Sequence, residues 1–179
     1  GPVRAELGIP TAFNLLGPLA NPGLVERQVV GVASAERAEL LAGALQELGS
    51  TSSWVVAGHG GLDELSLTGD SEVWEVSGAG VRHRVVALAE LDLEPVDPSA
   101  LAGGDAATNA RLFEDLMAGA TGPIRDIVAL NAAAGLVVAG LASDLGLGLE
   151  LAGAAIDDGR VRAKLDELRA VAAPSADAR

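Results

Sequence analysis

A strand–helix–strand pattern over residues 28–57 constrains the fold of this chain more than any other feature. Gln28–Ala33 and Ser53–Ala57 are short, β-branched runs without charge, as expected of strands that are buried on both faces. Between them, apolar residues recur at helical spacing after Ser34, a favourable N-cap, and Gly49 ends the helix. Two strands joined in this way form a right-handed βαβ unit. We therefore predict an α/β fold with a central, mainly parallel sheet flanked by helices.

An acidic, glycine-rich loop, Gly58–Leu65, follows the second of these strands. In open parallel sheets, ligands bind outside the carboxyl ends of the strands. The adjacent carboxylates of Asp63 and Glu64 can reach hydrated Mg²⁺, which prefers oxygen ligands, and the glycines leave room for a bulky phosphorylated ligand. By composition alone, an exposed acidic loop without a metal is the commoner interpretation. The position at a strand end is what favours a binding site.

A second Asp-Glu pair illustrates that commoner interpretation. Asp166-Glu167 lies within a predicted helix, close in sequence to Arg162, Lys164 and Arg169. Opposite charges three or four residues apart on a helix form surface salt bridges. We therefore predict that this pair belongs to a solvated helix face.

The remainder of the chain predicts an edge hairpin followed by helices. Glu72–Val76 and Val81–Leu88 flank a glycine-rich turn, and the basic residues Arg82, His83 and Arg84 are interpreted as a charged, solvated edge strand. The predicted helices are Ala106–Ala118 with Asp105 as its cap, Ile124–Leu141 opened by Gly122-Pro123, Leu147–Asp157 and Val161–Val171. We expect a single domain over residues 1–173 and a frayed tail over residues 174–179.

Composition excludes several classes of function. A formal net charge of −13 argues against nucleic acid and against an anionic membrane surface. The chain has no cysteine, so disulfides and thiolate chemistry do not apply. Leu130–Leu141 is too short to span a bilayer, and a cytoplasmic protein is expected. No pattern of a catalytic triad, a zinc site or a P-loop is present, so no catalytic side chain is assigned, and His59 is left without a role.

The first twenty-two residues are apolar and rich in turn formers, and they carry one arginine near their start, Arg4. Their prolines and glycines predict two short helical turns, Val3–Leu7 and Thr11–Leu16, before a loop into the first strand. Spacing alone supports a structural connector and a site-forming segment about equally. Arg4 by itself is more simply explained by a structural salt bridge, for example with Glu6.

This opening sequence, PVRAELGIPTAFNLLGPLANP, resembles a signature of the anthranilate phosphoribosyltransferase family, and GHGGLDE at residues 58–64 resembles a second motif of that family. The likeness covers the whole chain but only about the C-terminal half of the enzyme. The N-terminal helices and the glycine-rich phosphate loop of the family are absent from this sequence. Pro10 departs from the pattern, since many members carry a basic residue there.

The resemblance implies an α/β domain of the nucleoside-phosphorylase and phosphoribosyltransferase class. It implies Mg²⁺-dependent transfer of a phosphoribosyl group from phosphoribosyl pyrophosphate (PRPP) to the amine of anthranilate, in tryptophan biosynthesis, by an enzyme that is a homodimer at full length. By the same resemblance, Asp63 and Glu64 would hold the Mg²⁺ that accompanies PRPP. Arg4 would contact the carboxylate of anthranilate, and Gly17 would give backbone room beside it.

Two alternatives stay open at this point. A fragment of a pyrimidine-nucleoside phosphorylase would share the fold and run a related ribosyl transfer, although the long match at the start of the chain argues against it. A folded domain without catalysis of its own is the other alternative. Because the phosphate loop is missing from the sequence, we expect this chain alone to be inactive.

Overall fold

The computed structural model describes residues 16–172 and shows a mixed four-stranded sheet with helices on both faces. The strands are β1 (Arg27–Gly31), β2 (Ser52–Ala57), β3 (Ser71–Ser77) and β4 (Gly80–Val86), and the helices are α1 (Ala35–Glu47), α2 (Ala106–Met117), α3 (Pro123–Ala139), α4 (Leu145–Asp157) and α5 (Arg160–Ala172). The α/β class predicted from the sequence is confirmed. The helical turns predicted at Val3–Leu7 and Thr11–Leu16 and the tail over residues 174–179 fall outside the described residues, except for Leu16.

Among residues 16–172, no helix combines the length and the apolar character that a membrane crossing needs.

The strand order is β1-β2-β3-β4, and only β1 and β2 run parallel. The pairs β2–β3 and β3–β4 are antiparallel. The mainly parallel sheet predicted from the sequence is therefore wrong for the described residues. The reason lies in residues 58–70, which link β2 to β3 with only a short 3₁₀ turn and no crossover helix. A parallel strand needs a long crossover, so β3 returns antiparallel beside β2.

The βαβ unit itself forms as predicted, with element ends within two residues of the expected positions. Ser34 stands in extended conformation at the N-cap of α1. Gly49 follows the helix with a φ of +82°, which explains why a glycine ends it. The hairpin β3–β4 also forms as predicted, with β4 at the sheet edge, but β3 is an inner strand whose Val73 and Trp74 are buried.

The core lies in two layers, one on each face of the sheet. Along β2, Val55 and Ala57 pack towards α1, whereas Trp54 and Val56 pack towards α3. Burial of a valine side chain contributes about 1.5–3 kcal/mol, so Val55 and Val56 stabilise the strand from its two faces. This double burial explains why β2 shows a continuous apolar run rather than an alternating one.

The helical half of the molecule depends on small residues. A Cβ placed on Gly148 of α4 would lie 2.8 Å from the Cβ of Ala133 in α3, so the two helices meet in close contact there. The run of small residues in α3 predicts such an approach. Upstream, the Asp105 carboxylate accepts a hydrogen bond of 2.8 Å from the Thr108 backbone N–H and caps α2, as the sequence indicates.

Candidate functional site

The acidic loop begins with a tight turn at the carboxyl end of β2. The Gly58 N–H donates to the Leu62 carbonyl oxygen at 2.8 Å and closes the turn over His59–Gly61. Gly60 and Gly61 have φ angles of +75° and +82°, a region in which side chains are strained. The glycines of this motif are therefore required by the backbone, and the turn delivers the chain directly to Asp63.

The backbone of the acidic pair lies against the ends of both parallel strands. A Cβ on Gly31, the last residue of β1, would lie 1.4 Å from the Asp63 carbonyl oxygen. A Cβ on Gly58, just after β2, would lie 2.2 Å from the Glu64 carbonyl oxygen. Only glycine leaves space for these contacts. Asp63 and Glu64 thus cross the carboxyl ends of β1 and β2, where ligands of such sheets bind.

Asn131 of α3 holds the loop immediately after the acidic pair. Its Oδ1 accepts from the Leu65 N–H at 2.9 Å, and its Nδ2 donates to the Leu65 carbonyl oxygen at 2.9 Å and to the Ile127 carbonyl oxygen at 3.1 Å. The Leu65 side chain is fully buried. One amide therefore satisfies both backbone groups of Leu65 and fixes the distance between the loop and α3.

Asn131 is not among the residues that the sequence predicts for the site. The signal available was a single amide within the apolar helix run between Ile127 and Val138. A polar side chain on a buried helix face needs partners, but the sequence does not say which backbone groups supply them.

The charges of the pair are exposed, although the carboxyl of Glu64 is partly desolvated by its surroundings. This desolvation, together with the neighbouring charge of Asp63, raises the pKa of Glu64. Within residues 16–172, neither carboxylate forms an ion pair with a basic side chain. Two adjacent carboxylates without a basic partner among these residues favour the binding of a cation.

The donor set fits Mg²⁺ better than a metal held by protein alone. In the part of the chain that the structure describes, no three histidine, cysteine or acidic side chains are grouped closely enough to hold a metal ion. Mg²⁺ commonly takes one or two carboxylates and completes its shell with water and substrate phosphates. Asp63 and Glu64 match that arrangement, in which the ligand brings the remaining oxygens.

The other predicted site residues are not brought to this loop by any described contact. Arg4 lies outside the described residues. Gly17 precedes the 3₁₀ turn Pro18–Ala20 in a right-handed conformation, with open space where a Cβ would stand. The turn lines a cavity together with Gln28 and Ser50, near the amino ends of β1 and β2. The acceptor-binding roles of Arg4 and Gly17 stay predictions.

The basic cluster on β4 is structural, as predicted. Arg82 and Arg84 both pair with Glu75 of β3 at 2.5 Å, and His83 Nε2 lies 3.0 Å from a Glu72 carboxylate oxygen. Cross-strand pairs of this kind stabilise a hairpin modestly. Charge also protects an edge strand from pairing with other chains.

Comparison with known proteins adds to this geometry. A family model described as glycosyl transferase family, a/b domain, matches residues 1–162. The anthranilate phosphoribosyltransferase of Desulforamulus reducens is 46% identical over 165 residues, which make up 92% of this chain and 48% of that protein. The chain therefore spans about half the length of the curated relatives it matches.

Solved structures show the same relationship. The anthranilate phosphoribosyltransferase of Thermus thermophilus superposes with a TM-score of 0.84 at 41% identity, over 93% of this chain and 49% of that one. The Saccharomyces cerevisiae enzyme in complex with PRPP and Mg gives a TM-score of 0.82 at 30% identity, over 92% and 48%. The same yeast enzyme in complex with 4-fluoroanthranilate gives 0.82 at 29% identity, with the same coverage.

Proposed function

The chain belongs to the glycosyl transferase family defined by this α/β domain, and from that membership we propose that it forms the metal-binding portion of an anthranilate phosphoribosyltransferase. The observation that carries the proposal is the acidic pair, Asp63 and Glu64, held across the carboxyl ends of two parallel strands without a basic partner among residues 16–172. That the yeast relative is known in complex with PRPP and Mg supports it.

The proposed reaction joins the amine of anthranilate to C1 of the ribose of PRPP. The C1–N bond forms, the C1–O bond to pyrophosphate breaks with inversion, and the amine loses a proton to solvent. When bound, Mg²⁺ supplies neutralisation of the charge that develops on the leaving pyrophosphate. The product would enter tryptophan biosynthesis.

The residues of this chain contribute position and charge rather than a general base. Asp63 and Glu64 would hold the cation, and Gly31 and Asn131 keep those carboxylates in place before the ligand arrives. Arg4 would bind the carboxylate of anthranilate through two parallel hydrogen bonds, with Gly17 beside the ring. Holding a weakly nucleophilic amine against C1 accounts for a large part of the rate in such reactions.

Binding to the chain as it stands gives the first test. Thermal unfolding is followed with Mg²⁺ and PRPP, and then with anthranilate or with uridine added. We expect stabilisation by PRPP only when Mg²⁺ is present, and a further increase with anthranilate but not with uridine. In a separate titration, a rise in melting temperature with uridine and inorganic phosphate together would favour the pyrimidine-nucleoside phosphorylase alternative.

Turnover gives the second test. This chain covers 49% of the Thermus thermophilus enzyme. The remaining half, which the family resemblance places N-terminal to the matched part, is joined ahead of the chain, and the loss of anthranilate fluorescence is measured with PRPP and Mg²⁺. We expect activity from the folded chimera and none from the chain alone, since the phosphate loop is absent from its sequence. A chimera that melts cooperatively, binds PRPP and still consumes no anthranilate would contradict the proposal.

A further inference from the structure

His59 is held in one orientation although its side chain is exposed. Its Nδ1 lies 3.0 Å from Thr68 Oγ1. Its ring lies against Gly69, where a Cβ would stand 2.6 Å from the ring Cγ. An exposed polar ring ordinarily keeps its rotamer freedom, and restricting it costs conformational entropy. Two independent constraints on one exposed imidazole therefore indicate a side chain arranged for a ligand.

A buried hydroxyl determines which ring nitrogen carries the proton. Ser66 is fully buried, and its Oγ accepts from the Thr68 N–H at 2.9 Å and lies 2.8 Å from Thr68 Oγ1. A buried hydroxyl proton needs an acceptor, and among the residues described here Thr68 Oγ1 is the one in reach. Ser66 therefore donates to Thr68.

The direction of the Ser66–Thr68 bond also determines which group donates in the bond between Thr68 and His59. Once Thr68 Oγ1 accepts from Ser66, its own proton can go to His59 Nδ1 at 3.0 Å or to the His59 carbonyl oxygen at 3.4 Å. The shorter contact makes Nδ1 an acceptor, and a neutral imidazole then carries its proton on Nε2. The network thus presents a neutral Nε2–H to solvent.

This N–H belongs to the same strand-end loop as the acidic pair. His59 begins the turn that Gly58 and Leu62 close, and Asp63 follows directly. We propose that His59 Nε2–H donates a hydrogen bond to a phosphate or pyrophosphate oxygen of the ligand held at the acidic loop, with Ser66 and Thr68 as positioning residues. The inference rests on the proposed function, because it takes that ligand to be a magnesium-bound pyrophosphate group.

A neutral donor is suited to this place. A positive charge on His59, in the same loop as Asp63 and Glu64, would oppose the binding of a cation there. The neutral form leaves both carboxylates to Mg²⁺ while still recognising an anionic oxygen.

The tautomer is tested first, without any ligand. The chain has only two histidines, so long-range ¹H–¹⁵N spectra of the labelled protein at mildly alkaline pH resolve both rings. We expect His59 in the Nε2–H form, and a mixture of tautomers in Thr68→Val, which removes the hydroxyl and keeps the shape. His83, whose Nε2 faces Glu72, is the internal control and should not change. An Nδ1–H form in the wild type, or no response to Thr68→Val, would overturn the inferred network.

The ligand role is tested with inorganic pyrophosphate and Mg²⁺, against Mg²⁺ alone. We expect the His59 Nε2 resonance to move with magnesium pyrophosphate and not with the metal alone. His59→Phe should weaken pyrophosphate binding about ten- to a hundredfold, the contribution of one hydrogen bond to a charged group, whereas His83→Phe leaves it unchanged.

The outcomes separate the two proposals. If wild type and His59→Phe bind magnesium pyrophosphate equally, the role of His59 is refuted while the proposed function stands. If the Asp63→Asn and Glu64→Gln variants bind magnesium pyrophosphate as well as wild type, the proposed function is refuted, and the role of His59, which rests on it, is refuted with it. If the wild type does not bind it at all, both the site and the ligand role of His59 are refuted.

Discussion

The same dipeptide occurs in two environments in this molecule. On α5, Glu167 pairs with Lys164 at 2.5 Å and Asp166 with Arg169 at 3.6 Å, as the helical spacing predicts. On the strand-end loop, the described residues give Asp63 and Glu64 no such partners. The first pair is neutralised locally, and the second keeps two adjacent negative charges.

The difference teaches where the binding site resides. Exposed salt bridges such as those on α5 contribute little to stability and leave no charge to recruit a ligand. On the loop, partial desolvation of Glu64 and then repulsion by Asp63 raise the pKa of Glu64, so ionisation of the pair has an electrostatic cost. Its backbone, however, is held from beneath by Gly31 and Asn131. The capacity to bind a cation therefore depends more on the contacts that hold the loop backbone than on the presence of an Asp-Glu dipeptide.

The largest expected effect separates the two pairs by activity. In the chimera described above, Asp63→Asn with Glu64→Gln should lower kcat/KM at least about a hundredfold, since metal-assisted charge stabilisation is worth several kcal/mol. Asp166→Asn with Glu167→Gln should change it less than about twofold. Equal losses of kcat/KM in the two double variants would show that the loop pair has no special role in the reaction.

The support beneath the loop is tested by Gly31→Ala. An alanine Cβ at Gly31 would overlap the Asp63 carbonyl oxygen, so the loop must move, and we expect the free energy of unfolding to fall by about 3 kcal/mol in urea titrations. Mg²⁺ titrations should show weaker binding. Gly43→Ala is the matched control, because its Cβ would meet open space on α1, and it should raise stability by about 0.5–1 kcal/mol.

Removal of the Asn131 amide should cost about 2 kcal/mol. Asn131→Ala leaves the N–H and carbonyl of Leu65 without partners in a site that is partly closed to water. Asn109 makes the same paired contacts with the backbone of Gly104, but in an exposed position where water can replace it. Asn109→Ala should therefore cost less than about 1 kcal/mol. If both variants lose the same free energy of unfolding in denaturant titrations, the burial of the Leu65 backbone does not explain the contribution of Asn131.

The smallest effect is a pH dependence of stability that comes from Glu64. The pKa of Glu64 is raised in the folded state, so the folded protein binds the proton more tightly than the unfolded one. Wild-type stability relative to Glu64→Gln should thus be unchanged at low pH and fall as pH rises from about 4.3, the ordinary value for glutamate.

At neutral pH, Glu64→Gln should be more stable by a few tenths of a kcal/mol, because the group is exposed. Glu167→Gln loses the contact with Lys164 and should be slightly less stable. The Tm of wild type and of Glu64→Gln, measured across pH, checks this sign. A Glu64→Gln protein that melts below wild type at neutral pH would show that the ionised Glu64 carboxylate does not destabilise the fold.

Much of the fold follows from interactions between close neighbours in sequence. Apolar spacing predicts α1 and β2, the Asp105 carboxylate caps α2, and the glycine-rich turn predicts the β3–β4 hairpin. The candidate acidic loop is also found from sequence, since a buried strand followed by glycines and carboxylates is a local pattern. Arg4 and Gly17 belong to the same resemblance, but no described contact tests their roles.

The sequence by itself determined the helices, the strands and the position of two acids after β2, because periodicity and capping act over a few residues. Only the tertiary structure decided that β3 returns antiparallel, that Gly31 receives the Asp63 carbonyl and that Asn131 holds Leu65. These contacts join residues that lie 32 and 66 positions apart, as for Gly31–Asp63 and Asn131–Leu65. They follow from how helices and sheet pack, and no local pattern of side chains records that packing.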